Sequence, residues 1–299
     1  MEYSPVKVTS SFLLSILFFA TACGQKTTQL PNEASWQSIQ STWAGAAELN
    51  HYQLKQERYG QIHDGTAVLI FTRKPFLEDR QVKDESGLGS FQVLKMNSLR
   101  HFLTGAYPYR TMVSVFQPFE KESTGQALKV STSIQEWCGH SFQQTNRRDG
   151  STKTEVKSYY EKEDNTSYVE KASILLEDEV WTALRLNPKG LPVGKIQMIR
   201  GSLASRLSHQ EPISEAVQAS WLPGKSSTTL IYEITYQKSG RTLAIEIQKD
   251  LPYRIQGWKE HDSEGLISEG TLVKRESNVD YWNYNGKSKG NKLRKRLKL

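Results

Sequence analysis

The sequence predicts a mainly β protein: a large curved antiparallel sheet or open barrel with one or two helices packed on it. Three observations carry this. Turn signals fall roughly every ten residues along most of the chain, the rhythm of an antiparallel meander. The segments between them are rich in Thr, Ser, Tyr and Val, which suit a sheet with one solvated face. Helical periodicity is confined to two short stretches. The chain has 299 residues, no internal repeat and no Pro/Gly/Ser-rich linker, so one large core without covalent staples is expected.

Taken in order, the chain opens on an apolar run, Phe12 to Ala20, which follows Lys7 and closes on Ala20-Thr21-Ala22-Cys23-Gly24. The run is too short for a permanent membrane span, so residues 1–22 read as a removable export signal. Cys23 is expected to become the lipidated N-terminus of a bacterial lipoprotein. The protein would then be anchored to the outer or cytoplasmic membrane on its periplasmic side. Plain secretion with the same cut is the alternative, because Ala20-Thr21-Ala22 also suits ordinary signal peptidase. Residues 23–32 read as a polar tether.

A single β-rich domain is expected over 33–286. Asn32 is placed as the cap of a first helix carrying Trp36, Ile39 and Trp43 at helical spacing. Tyr52 to Gly60 and Thr66 to Thr72 form a hairpin turning at His63-Asp64-Gly65, and Lys74 to Gly89 is a loop. Strands follow at Phe91–Met96, Arg100–Ala106, Tyr109–Phe116, Ala127–Glu136, Ser141–Asn146 and Thr154–Tyr160. A helix interrupts them: Leu176, Val180 and Leu184 recur every fourth residue, Glu177, Asp178 and Glu179 fill its first turn, and Asn187-Pro188-Lys189-Gly190 stops it. Strands resume at Val193–Ile199, Ala216–Leu222, Thr229–Tyr236, Thr242–Ile247, Tyr253–Lys259 and Thr271–Lys274.

The formal charge of +7 is matched by seven cations beyond Gly286: Lys287, Lys289, Lys292, Arg294, Lys295, Arg296 and Lys298. The remainder of the chain is neutral overall. Residues 287–299 read as a basic, disordered, solvated tail, with anionic lipid head groups as the partner it suits. Nucleic acid is not an expected partner of an exported protein.

Few motifs carry chemistry. In Glu136-Trp137-Cys138-Gly139-His140, a strand would set Cys138 and His140 on one face about 7 Å apart. A Cys–His pair can make a thiolate nucleophile, but i, i+2 neighbours stand side by side, so a buried structural thiol beside a hydrogen-bonded histidine is the competing reading. The six histidines show no metal-ligand spacing, Glu177-Asp178-Glu179 is explained by a helix first turn, and no cofactor motif is present. Gly286-Lys287-Ser288-Lys289-Gly290 fits a serine-nucleophile pattern by letter alone, without a strand leading into it. Tyr107-Pro108-Tyr109-Arg110 and Tyr281-Trp282-Asn283-Tyr284 are aromatic patches that either line a ligand groove or form core corners.

Tyr52-Gln53-Leu54-Lys55-Gln56-Glu57-Arg58-Tyr59-Gly60, His63 to Leu69, Thr104 to Tyr109 and Gln135 to His140 resemble an uncharacterised lipoprotein family of diderm bacteria. Its members carry the inherited name "septum formation inhibitor Maf". Maf proteins proper are cytoplasmic nucleotide pyrophosphatases on an α/β fold that open with a Ser-Pro-Arg-Arg type motif. This chain lacks that motif, so no Maf catalytic residue is carried over. At the level of fold, the meander with one helix is similar to the half-open β-barrels of periplasmic lipoprotein carriers, and fold alone does not imply function. The leading expectation is a non-enzymatic protein whose concave sheet face holds an apolar or lipid-like ligand. The alternatives are a hydrolase or transferase using Cys138 and His140, and a structural component of an envelope complex.

Overall fold

A computed structural model describes residues 29–86, 89, 91–120, 126–163, 165–171 and 173–299. The export signal, Cys23 and the start of the tether lie outside the described residues.

Sixteen strands and four α-helices are present among these residues. The strands are β1 (Ala47–Arg58), β2 (Gln61–Leu77), β3 (Val82–Lys83), β4 (Gln92–Thr104), β5 (Tyr107–Pro118), β6 (Lys129–Glu136), β7 (Gly139–Arg148), β8 (Ser151–Ser158), β9 (Thr166–Lys171), β10 (Leu175–Leu176), β11 (Gly194–Ile199), β12 (Ser214–Pro223), β13 (Thr229–Tyr236), β14 (Thr242–Gln248), β15 (Ile255–His261) and β16 (Leu266–Val279). The helices are α1 (Trp36–Thr42), α2 (Glu177–Leu186), α3 (Ser202–Leu207) and α4 (Lys287–Leu297).

One open sheet runs β10-β11-β12-β13-β14-β15-β16-β1-β2-β4-β5-β6-β7-β8-β9, with β3 pairing only to β2. All neighbours are antiparallel except β10 and β11. Consecutive β9 and β10 occupy opposite edges, so the chain crosses the gap between them and the sheet stays unclosed. Curvature follows from where the sheet meets α2. Glu177 pairs with Arg241 just before β14 at 2.6 Å, Glu179 with Arg147 on β7 at 2.9 Å, and Arg185 with Glu48 on β1 at 2.7 Å. Three well-separated sectors reach one ten-residue helix, which requires the sheet to wrap around it. All six side chains are buried, so each pair offsets its desolvation only because the geometry is close and further hydrogen bonds are made.

The concave face carries the main core, including Tyr52, Leu54, Phe71, Met96, Val115 and Ile245. Towards β7 and β8 that face turns polar, with Ser141, Gln143, Thr145, Thr152 and Thr154 buried.

Several local expectations are corrected. The first hairpin turns at Tyr59-Gly60, both left-handed at φ 57° and 73°, the two-residue turn whose twist matches the strands. Gly65 instead lies mid-strand, where a Cβ would stand 2.4 Å from the His101 carbonyl oxygen. Ser35, not Asn32, caps α1, its hydroxyl accepting from the Ser38 N–H at 3.2 Å. Asn32 docks on the β14–β15 turn through its N–H to the Lys249 carbonyl at 2.9 Å and its amide to Asp250 at 2.6 Å, so the end of the tether belongs to the body. Phe91–Met96 and Arg100–Ala106 merge into β4.

The largest correction is the C-terminus. Residues 287–299 were expected to be disordered, yet they form α4. Leu293 and Leu297, one turn apart, are buried with Ala47, Leu49 and Val279 on the convex face. The Leu297 carbonyl meets His51 Nδ1 at 2.9 Å. Helix α3 was not expected either; six residues leave too little periodicity to read.

Candidate ligand-binding site

Helix α3 lies across one end of the curved sheet. Its N-terminus is held by Asp178, which accepts the Ser202 N–H at 2.8 Å. Its C-terminus is held by Arg58, which donates to the Leu207 carbonyl at 2.7 Å. Gly201 is needed at the crossing, because a Cβ there would meet Glu177 Oε1 at 2.4 Å.

Beneath α3, between α2 and strands β1, β4, β14 and β15, lies a cavity of about 250 Å³. Met96, Val113, Trp181, Leu203 and Leu243 form its apolar walls. Its polar lining has two layers. Glu57, Asp262 and Glu264 stand by the hairpin turns at the rim. Deeper, Arg241 donates to both Glu177 oxygens at 2.6 and 2.7 Å and to Glu260 at 2.6 Å. Tyr236 also donates to Glu177. Burial works against ionising Glu177, yet Arg241 beside it outweighs that and holds its carboxyl below the usual range.

Two groups in this cavity stand apart. Asp178 forms no ion pair among the described residues; burial and the neighbouring Glu177 charge push it up to about 7. Arg100 projects from β4 over the Trp258 ring at 5.1 Å and gives one hydrogen bond, to Gln56 at 2.9 Å. Its Nε is shielded from solvent and has no hydrogen-bond partner among the described residues. A buried donor left unpaired is costly.

On the opposite face of α3 a more open cleft of about 640 Å³ runs to β7, β8 and β9. Glu163 joins Arg206 at 3.2 Å and His209 at 2.6 Å in its wall.

Of the residues singled out in the sequence, Glu177 and Asp178 line the cavity and the others fall elsewhere. Cys138 sits in the two-residue β6–β7 turn and is exposed, not buried. His140 lies on β7 opposite Gln135 and is also exposed. Among the described residues no hydrogen bond joins them. Glu136 accepts the Cys138 N–H at 2.6 Å, and its carboxylate pushes the Cys138 thiol up, against thiolate formation. The acidic triplet of α2 divides three ways, to Arg241, to Ser202 and to Arg147, so the first turn of a helix is only part of its explanation. Of the aromatic patches, Tyr109 is a buried corner stacked on Phe102, while Tyr107 at the start of β5 stacks on the exposed Trp137 of the β6–β7 turn. Tyr281 and Tyr284 pack under α4.

Arg100, Arg241, Asp178 and Glu260 as site residues escaped the sequence reading. Arg100, Arg241 and Glu260 are isolated charges in strands or turns, Asp178 stands in the first turn of α2, and only the wrapping of the sheet gathers them. An inward-facing arginine, in phase with Met96 and Phe102 on β4, was the available signal. Compared with protein-family models and with curated proteins, the chain matches none.

Proposed function

We propose that this is an exported, lipid-anchored binding protein of the bacterial envelope, without catalytic activity, that holds a small lipid-like ligand in the cavity beneath α3. The observation that carries the reading is the cavity itself, bounded by α2 and α3, lined about equally by apolar and polar groups, and holding an arginine that makes no ion pair among the described residues. Its volume lies just below the roughly 300–1,000 Å³ of drug-sized ligand pockets, so a whole phospholipid is too large and a short amphiphile is the better match. Anchorage rests on Cys23 and its preceding small residues. Helix α4 supports a second membrane contact: Leu293 and Leu297 face the sheet while its six cations and Lys298 beyond it are exposed, a surface suited to anionic head groups. The test is to express the full chain and a Cys23→Ala variant in a diderm host and fractionate the envelope. Membrane retention of the wild type and release of the variant support anchorage; equal distribution removes it.

The alternative enzyme reading would have Cys138 act with His140. An exposed thiol raised by Glu136 supplies little thiolate, so the binding reading is preferred.

A further inference from the structure

We propose that the ligand of the cavity is an amphiphile with an anionic head group, taken by Arg100 and bound together with a proton on Asp178. This deepens the binding reading and rests on it.

The charges around the cavity floor decide the sign. Arg241 carries one positive charge against the two carboxylates it bridges, Glu177 and Glu260. Among the described residues Arg100 forms no ion pair, and it adds one positive charge from β4. Arg200, at the end of β11, lies near Glu177 but is engaged by Glu215 at 2.6 Å. Asp178 is the remaining floor group. With Asp178 protonated, Arg100, Arg241, Glu177 and Glu260 sum to zero and the unpaired cation is Arg100. With Asp178 ionised, the floor gains a negative charge that an incoming anion must face at low dielectric. Rim residues Glu57, Asp262 and Glu264 face water and are screened, so they act weakly on the floor.

The head group then has one destination. The Arg100 guanidinium lines the cavity and makes one hydrogen bond among the described residues, to Gln56, and a carboxylate or phosphate oxygen would add a charge-assisted bond to it. The apolar body would lie along Met96, Val113, Trp181, Leu203 and Leu243. A neutral head could accept a hydrogen bond but would leave the Arg100 charge uncompensated, and a cationic one would add repulsion. Binding an anion favours the protonated form of Asp178, so uptake is linked to a proton and weakens as pH rises through about 7.

The experiment is calorimetric titration of the whole mature chain, made soluble by Cys23→Ala, with decanoate, decanol and decyltrimethylammonium at pH 6, 7 and 8. Decanoate stays ionised throughout. The expected result is that decanoate binds best at pH 6 and at least severalfold more weakly at pH 8. Arg100→Gln should weaken it tenfold or more while leaving decanol nearly unchanged. Asp178→Asn should flatten the pH dependence and keep the affinity. If decanol or the cation binds as well as decanoate to the wild type, the head-group assignment is overturned while the cavity reading stands. If no probe binds at any pH, the cavity reading falls and this inference with it. The wild-type comparison across the three heads needs no variant to fold.

Discussion

Asp178→Asn should make the protein more stable at pH 8 and leave it little changed at pH 5. Burial and Glu177 carry this carboxyl from 3.8 to about 7. Between those values the folded protein holds a proton that the unfolded chain has lost, so stability falls as pH rises through the window and the loss is complete above about pH 7. The full shift corresponds to ~4 kcal/mol. Asparagine removes the charge and keeps an oxygen for the Ser202 N–H, but its amide hydrogens gain no assured partner, so a net gain of about 2 kcal/mol at pH 8 is expected. Urea unfolding of the soluble Cys23→Ala chain with and without Asp178→Asn, at pH 5 and pH 8, measures it. Taking the difference between the two proteins cancels the histidines that titrate in the same range. A difference that does not grow from pH 5 to pH 8, or a variant destabilised at pH 8, would refute the reasoning.

Further outcomes follow from the same geometry. Arg241→Ala leaves Glu177 and Glu260 buried without their cation and should cost about 3–5 kcal/mol by denaturant melt. Burial opposes ionisation of Glu48, yet Arg185 and Arg275 outweigh it and hold its carboxyl at about 2, so its contribution is lost as pH falls from about 4.5 towards 2; Glu48→Gln should flatten that part of the acid-unfolding curve. Leu297→Ala should cost about 2–3 kcal/mol and speed hydrogen exchange through α4, whereas a solvated tail would show no change on either measure. Cys138 should be alkylated in the folded protein at pH 8, more slowly than a free thiol and faster in Glu136→Gln, as read by intact mass.

The strand meander was legible because alternation and turn chemistry are local. Thr229–Tyr236 and Thr242 onward are found where Lys238-Ser239-Gly240-Arg241 placed them, and α2 ends at Leu186 just before its Asn-Pro stop. Turn positions were less legible: His63-Asp64-Gly65 carries the residue types of a turn, but cross-strand pairing from Gln56 and His63 onward fixed the hairpin at Tyr59-Gly60. The tail misled because seven cations drew attention from Leu293 and Leu297, whose burial depends on a convex patch formed by β1 and β16, 230 or more residues away and some 15 residues before it. The cavity was illegible for a related reason. Arg100, Asp178, Arg241 and Glu260 come from four separate elements, and no spacing along the chain joins them. Their meeting is a consequence of wrapping the sheet around α2.

The central claim is that the cavity beneath α3 is a binding site. Native mass spectrometry of the Cys23→Ala protein, purified from the envelope of its own host, tests it most directly. The account predicts a co-purifying amphiphile of defined mass that is retained by the Cys138→Ala chain and lost from a Leu203→Trp variant whose indole fills the cavity. A wild-type chain that arrives empty and takes up no amphiphile on incubation would contradict it.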